Sequence, residues 1–211
     1  MPSSPLPLFG LFGLYGMADA SAGDPLELGA WLIDRGVCVV QVRAKRAARR
    51  ELVEVARALV AHAAGTRTRV LVNDDPVAAA RAGAHGVHLG QDDGDVSAAR
   101  ALLGPDAWIG RSTHDLDQVR AASGVDYLGF GPVFETQTKA AAGDARGTAR
   151  LAEAVAATPL PVVAIGGITA ARLPAVEATG VAAWAVVSGL WGASDRGATF
   201  SALMGSATPL T

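Results

Sequence analysis

Apolar residues fall into two alternating patterns along this chain: short continuous runs bounded by polar or glycine residues, and longer segments with an apolar residue every three or four positions. The first pattern predicts buried strands and the second amphipathic helices. Phe9 to Met17, broken by glycine, reads as a first strand, and Asp24-Pro25 supplies an N-cap and first-turn signal for a helix reaching Arg35. Val37 to Val42 is a second strand. Leu52, Val55, Leu59 and Val60 recur at helical spacing between Arg49 and Ala64, and Gly65 stops that helix. Val70-Leu71-Val72 ends abruptly at Asn73-Asp74-Asp75, an alanine-rich helix follows, and Gly86-Val87-His88-Leu89 is the fourth strand.

The alternation continues with a helix from Ser97 to Leu103, ended by Gly104-Pro105, and a strand from Ala107 to Gly110 that runs into Arg111-Ser112. A helix from Asp115 to Ser123, a strand from Tyr127 to Gly131, a helix from Thr148 to Ala157 and a strand from Pro161 to Ile165 come next. Arg172 to Thr179 is helical, and Ala183 to Val187 is an eighth strand ended by Ser188-Gly189. Pro132 to Gly147 is the longest stretch without periodicity.

Eight strand-helix units without a composition break predict a single (β/α)8 TIM barrel over residues 9–211, preceded by an irregular arm at 1–8 that holds three prolines. An open doubly wound sheet is the alternative. A crossover helix makes successive strands parallel, so the polar residues that end the strands collect on one side of the molecule.

The chain has 211 residues, half of them apolar, and a formal net charge of -2, enough for a sizeable core and no bulk attraction for nucleic acid or an anionic membrane. An anion would have to be held by locally placed cations. No uninterrupted apolar run approaches the ~20 residues of a membrane span and the N-terminus lacks the basic start of a signal peptide, so a cytoplasmic protein is expected. The single cysteine, Cys38, lies in an apolar run and reads as a small buried thiol. Trp31, Trp108, Trp184 and Trp191 read as packing residues, an exposed Trp191 being a possible mark of a homo-oligomer contact.

The strand ends carry the candidate chemistry. Strand alternation puts Gln41, Arg43 and Lys45 on one face and Val42 and Ala44 on the other, and two inward cations have no packing purpose, although a solvated basic turn is the plainer alternative. Asp74 and Asp93 are the favoured metal ligands, because Mg²⁺ takes one or two carboxylates together with substrate phosphate. Asp75 precedes Pro76 and reads as a helix cap, while Asp92 and Asp95 read as caps or solvated charges. His88 falls at an inward strand end; His62, His85 and His114 read as surface or turn residues. Thr136, Thr138 and Lys139 offer two hydroxyls and an ammonium suited to an anion, on a loop long enough to be a lid. Gly166-Gly167 and Val187-Ser188-Gly189 end strands where barrels commonly bind phosphate.

The ordered set QVRAK, VNDD, GVHLGQDD, GRSTH, DYLGFGPVFETQTK and AIGGI resembles the thiamine-phosphate synthase family over about Leu14 to Leu190. The resemblance implies a Mg²⁺-dependent transferase that joins 4-amino-2-methyl-5-hydroxymethylpyrimidine diphosphate to 4-methyl-5-(2-phosphoethyl)thiazole, releasing diphosphate. It implies that Gln41 contacts the pyrimidine, that Arg43, Lys45, Asn73, Ser112 and Lys139 hold the diphosphate, and that Asp74 and Asp93 bind Mg²⁺. Thr136 and Thr138 match lid hydroxyls, Gly167, Val187 and Ser188 match the thiazole-phosphate site, and His88 matches a supporting histidine. The segment Leu14-Tyr15-Gly16-Met17-Ala18-Asp19 departs from the family's usual LYxITD in lacking the threonine, and AAAGDARG after Lys139 departs from the usual lid continuation. A thiazole tautomerase on a similar barrel and a non-catalytic precursor-binding barrel are the alternatives. Either would have little use for the full set of Gln41, Arg43, Lys45 and Asp93.

Overall fold

A computed structural model describes residues 11–136 and 144–205. Eight parallel strands close into a barrel in sequence order, β1 pairing with both β2 and β8. The strands are β1 (Gly13–Asp19), β2 (Val39–Arg43), β3 (Arg69–Asn73), β4 (Gly86–Leu89), β5 (Trp108–Thr113), β6 (Tyr127–Phe130), β7 (Val162–Ile165) and β8 (Ala183–Val186). Helices α1 (Pro25–Ile33), α2 (Arg49–His62), α3 (Pro76–Ala82), α4 (Val96–Leu103), α5 (Leu116–Ala121), α6 (Gly147–Ala156) and α7 (Leu173–Glu177) follow β1 to β7 in turn. After β8 come α8 (Ser188–Trp191) and α9 (Arg196–Met204). The expected barrel is present. The first strand begins at Gly13 and runs to Asp19, and the chain carries a last helix, α9, that its periodicity did not announce.

Strand alternation divides the core in two. Val40 and Val42 on β2, Val70 and Val72 on β3, and Val87 and Leu89 on β4 face outward and pack with Leu32, Leu52, Ala56 and Leu59 of the helices. Tyr15, Val39, Leu71, Trp108, Tyr127, Val163, Ala183 and Ala185 face inward and fill the barrel. Each fully buried aliphatic side chain contributes roughly 1.5–3 kcal/mol. Caps fix where the helices begin: Asp24 accepts from Leu26 N at 2.9 Å before Pro25, Asp75 from Ala78 N at 2.9 Å before Pro76, and Asp95 from Ser97 N at 3.0 Å. Asp75 is thus a cap, as its place before a proline predicts.

Trp191 is buried, edge-on to Trp31, and its Nε1 donates to Met17 O at 2.8 Å. It is a packing residue that locks α8 to β1, not the exposed contact its sequence position allowed. Cys38 is buried as expected.

Candidate functional site

The inward positions above the barrel core open at the carboxyl ends of the strands into two adjoining lobes that share Met17, Arg43, Ser112, Gly129, Ile165 and Ala185. One lobe is polar and carries Gln41, Lys45, Asn73, Asp74, His88 and Asp93. The other is walled by glycine turns and carries Thr136, Gly166, Gly167, Val187, Ser188 and Gly189.

In the polar lobe, β2 presents Gln41 and Arg43 inward as its alternation requires. The register of β1 with β2 sets Asp19 opposite Arg43, and their side chains pair at 2.6 Å. Asp19 is 2% exposed and its other oxygen accepts from Ser21 N at 2.8 Å, so both oxygens are engaged and the buried pair is satisfied. Lys45, half exposed, reaches Asp74 at 3.0 Å. Gln41 Nε2 donates to Asn73 Oδ1, and His88 Nε2 lies 2.9 Å from Ser112 Oγ.

Asp74 sits just past β3 with φ of 65°, the one described non-glycine residue in the left-handed region. Its N–H is tied to His88 O at 2.8 Å, which holds the turn. Burial first, then a hydrogen bond shared with the Asp93 carboxyl, push the Asp74 carboxyl above the ordinary carboxylate range, and Lys45 offsets this only in part. Asp93 in turn accepts from Gly90 N at 2.8 Å. Two carboxyls meeting in this way are short of positive charge, and a hard cation with oxygen ligands fits them. Among the described residues no group of three or more His, Cys, Asp or Glu side chains is placed to hold a metal, so a cation here would draw its other ligands from substrate and water. Asp92 is exposed.

The glycine lobe depends on close approach. Gly167 has φ of 62°, and a Cβ there would press into the Phe134–Glu135 backbone. Phe134 N donates to Gly166 O at 3.0 Å, so the turn after β7 and the segment after β6 support one another. Thr136 borders this lobe, while Thr138 and Lys139 lie outside the described residues.

Several residues at the mouth and elsewhere were not singled out from sequence. Asp19 follows from the same alternation that placed Arg43, since Tyr15, Met17 and Asp19 share one face of β1. His114 is a wall of the glycine lobe rather than a surface residue, its Nδ1 lying 2.7 Å from Gly131 O. Arg111 points away from the lobes and donates to Gln91 O at 2.7 Å and Gly94 O at 3.1 Å, stapling the loop that carries Asp93. His85 is half-buried, its Nδ1 accepting from Val70 N at 2.9 Å, so it too is more than a turn residue.

A family model described as thiamine monophosphate synthase matches residues 14–190. A thiamine-phosphate synthase of Anaeromyxobacter dehalogenans is 44% identical over 187 residues, covering 88% of this chain and 83% of the relative. One from Laribacter hongkongensis is 45% identical over 164 residues, covering 77% and 78%. Among solved structures, a thiamine phosphate pyrophosphorylase from Pyrococcus furiosus superposes with a TM-score of 0.83 at 31% identity, over 93% of this chain and 95% of that one. A 3-hexulose-6-phosphate synthase, at 18% identity and a TM-score of 0.64, shares the fold alone.

Proposed function

The chain belongs to the thiamine monophosphate synthase family, and on that premise we propose that the polar lobe takes the pyrimidine diphosphate and the glycine lobe the thiazole phosphate. The protein is a transferase of thiamine biosynthesis that makes thiamine phosphate. The observation that supports this division of labour is the shared wall: two lobes of unlike chemistry meet at Met17, Gly129 and Ala185, where a bond between their occupants would form.

In this reading Gln41 contacts the pyrimidine, Arg43, Lys45, Asn73 and Ser112 hold the diphosphate, and Asp74 with Asp93 holds Mg²⁺. When bound, Mg²⁺ supplies positive charge to the oxygens of the leaving diphosphate. The C–O bond to the pyrimidine methylene breaks as electrons pass to diphosphate, the aminopyrimidine delocalises the resulting cation, and the thiazole nitrogen lends its lone pair to the new C–N bond. No protein nucleophile is required. The chain's own work is to hold the leaving group's charge and align the two fragments. Gly167, Val187 and Ser188 orient the thiazole phosphate, and Thr136, Thr138 and Lys139 supply two hydroxyls and an ammonium to the diphosphate. A cytoplasmic setting fits substrates that, as charged phosphates made inside the cell, do not cross lipid. Among the described residues no helix is long and apolar enough to cross a membrane.

Incubation of the purified protein with both substrates and Mg²⁺ should release thiamine phosphate and diphosphate in equal amounts. Binding of both substrates without product would point to a precursor-binding barrel, and isomerisation of the thiazole alone to a tautomerase. Lys139→Ala should then lower kcat by ~10²–10³ with a smaller change in KM, the pattern of a contact that strengthens toward the transition state.

A further inference from the structure

Beneath the polar lobe, one side chain from each of β1 to β6 joins a continuous line of five hydrogen bonds: Asn73, Gln41, Tyr15, Tyr127, His88 and Ser112. The line has a direction. Gln41 Nε2 donates to Asn73 Oδ1, so Gln41 Oε1 faces Tyr15 and accepts its hydroxyl proton at 2.8 Å. With that proton committed, the Tyr15 oxygen accepts from Tyr127 OH, 2.8 Å away. Tyr127 can then only accept from His88 Nδ1 at 3.0 Å, which must carry the ring proton. In the neutral ring Nε2 is left bare, and it accepts the Ser112 hydroxyl at 2.9 Å.

Only one other ordering makes all five bonds and gives every hydroxyl proton along the line between the amides and the neutral ring an acceptor within it: complete reversal, with both amides turned over and the His88 proton on Nε2. Any mixed line either sets two protons or two lone pairs face to face or leaves a phenol proton without an acceptor inside the barrel, where an unmade hydrogen bond is costly. The surroundings keep the line intact. Tyr15 and Tyr127 are fully buried, and burial raises both phenols far above their ordinary range, so each retains its proton. Gly110 is the inward residue beside them, and a Cβ there would collide with both Tyr127 and His88.

We propose that Tyr15 and Tyr127 are positioning residues: their hydroxyls carry hydrogen-bond direction across the barrel, so the orientation of the Gln41 amide and the tautomer of His88 are set together. The side of the lobe assigned to the pyrimidine is thereby tied to the side assigned to the diphosphate without a change in backbone. Only the kinetic consequence rests on the functional reading above.

The test is nitrogen NMR of ring-labelled histidine in the substrate-free protein, at a pH above the ordinary histidine range, with His88 assigned by loss of its signal in His88→Gln. The unaltered protein should show His88 as a single tautomer protonated at Nδ1. Tyr15→Phe removes a hydroxyl bonded to Gln41 and Tyr127 but not to His88, and it should nevertheless move His88 off the single Nδ1-protonated form to a mixture of tautomers, because Tyr127 is then able to donate to Nδ1 as well as to accept from it. Gln41→Met, three bonds from His88, should do the same and serves if Tyr15→Phe does not fold. In the assay Tyr15→Phe should raise the KM for the pyrimidine diphosphate about tenfold, the scale of one buried hydrogen bond, and that for the thiazole phosphate less than about twofold. A His88 tautomer unchanged in both folded variants overturns the proposal, as does an equal rise in the two KM values. If the unaltered protein forms no thiamine phosphate, the functional reading fails while the NMR result still decides the positioning role.

Discussion

Asp74 and Asp75 are adjacent, equally acidic, and put to opposite uses. Asp75 caps α3 and pairs with Arg49. Partial burial works against its ionisation, but the Arg49 guanidinium and the helix N–H groups outweigh that and hold its carboxyl below the ordinary range. Asp74 instead points its carboxyl at Asp93 and is pushed the other way. Sequence reasoning separated the two because a proline after Asp75 leaves it little choice but to cap. The choice of Asp93 over Asp92 had no comparable local signal; in the fold Asp92 is exposed, whereas Asp93 meets Asp74. Asp93→Ala should abolish most Mg²⁺-dependent turnover, whereas Asp92→Ala should be mild; titrating activity against Mg²⁺ in the two variants decides between them. A large loss from Asp92→Ala alone would show the ligand assignment to be off by one.

The elements best read from sequence were those whose ends carry capping chemistry or whose strands alternate cleanly. Arg43 was legible as inward because β2 alternates from Val39 to Arg43, whereas the glycine-broken start of β1 and its departure from the family's usual ending hide the alternation that turns Asp19 inward. Helix α9 was missed for a different reason: its buried residues are Phe200 and Leu203, too few to create a visible period, and its place is fixed from outside by Trp184 Nε1 donating to Leu203 O at 2.8 Å. The glycine turn after β7 was legible as a turn, while its partner was not. Because a Cβ at Gly167 would meet the Phe134–Glu135 backbone, a substitution there acts through that segment as well as on any ligand. Gly167→Ala should raise the KM for the thiazole phosphate more than that for the pyrimidine diphosphate, and should also speed amide exchange at Phe134, whose N–H is bonded across the gap. Slowed catalysis with unchanged exchange at Phe134 would leave only direct ligand contact as the cause.

A barrel closed in sequence order has no strand edge to fray, and single partly buried groups shape its response to acid. His85, before β4, is one: burial first, then the nearby Arg69 charge, lowers its pKa, and its Nδ1 must stay unprotonated to accept from Val70 N. The folded chain therefore binds this proton less readily than the unfolded one. Stability from this group is complete above the unfolded value of about 6.5 and is lost as pH falls from there through the lower folded value. Denaturant midpoints should drop across that window, and His85→Asn, which retains an acceptor without the titration, should flatten the slope. Catalysis and endurance also diverge in this molecule, and the left-handed backbone at Asp74 shows where. Glycine or asparagine suits that conformation better than aspartate and would end the contest between two carboxyls, at the loss of a half-exposed ion pair of small value. Without metal, Asp74→Asn should melt a few degrees higher than the unaltered protein, roughly the effect of 1 kcal/mol at this size. A population of variants sorted by heat alone would gather changes at this position, and one sorted by growth without thiamine would purge them.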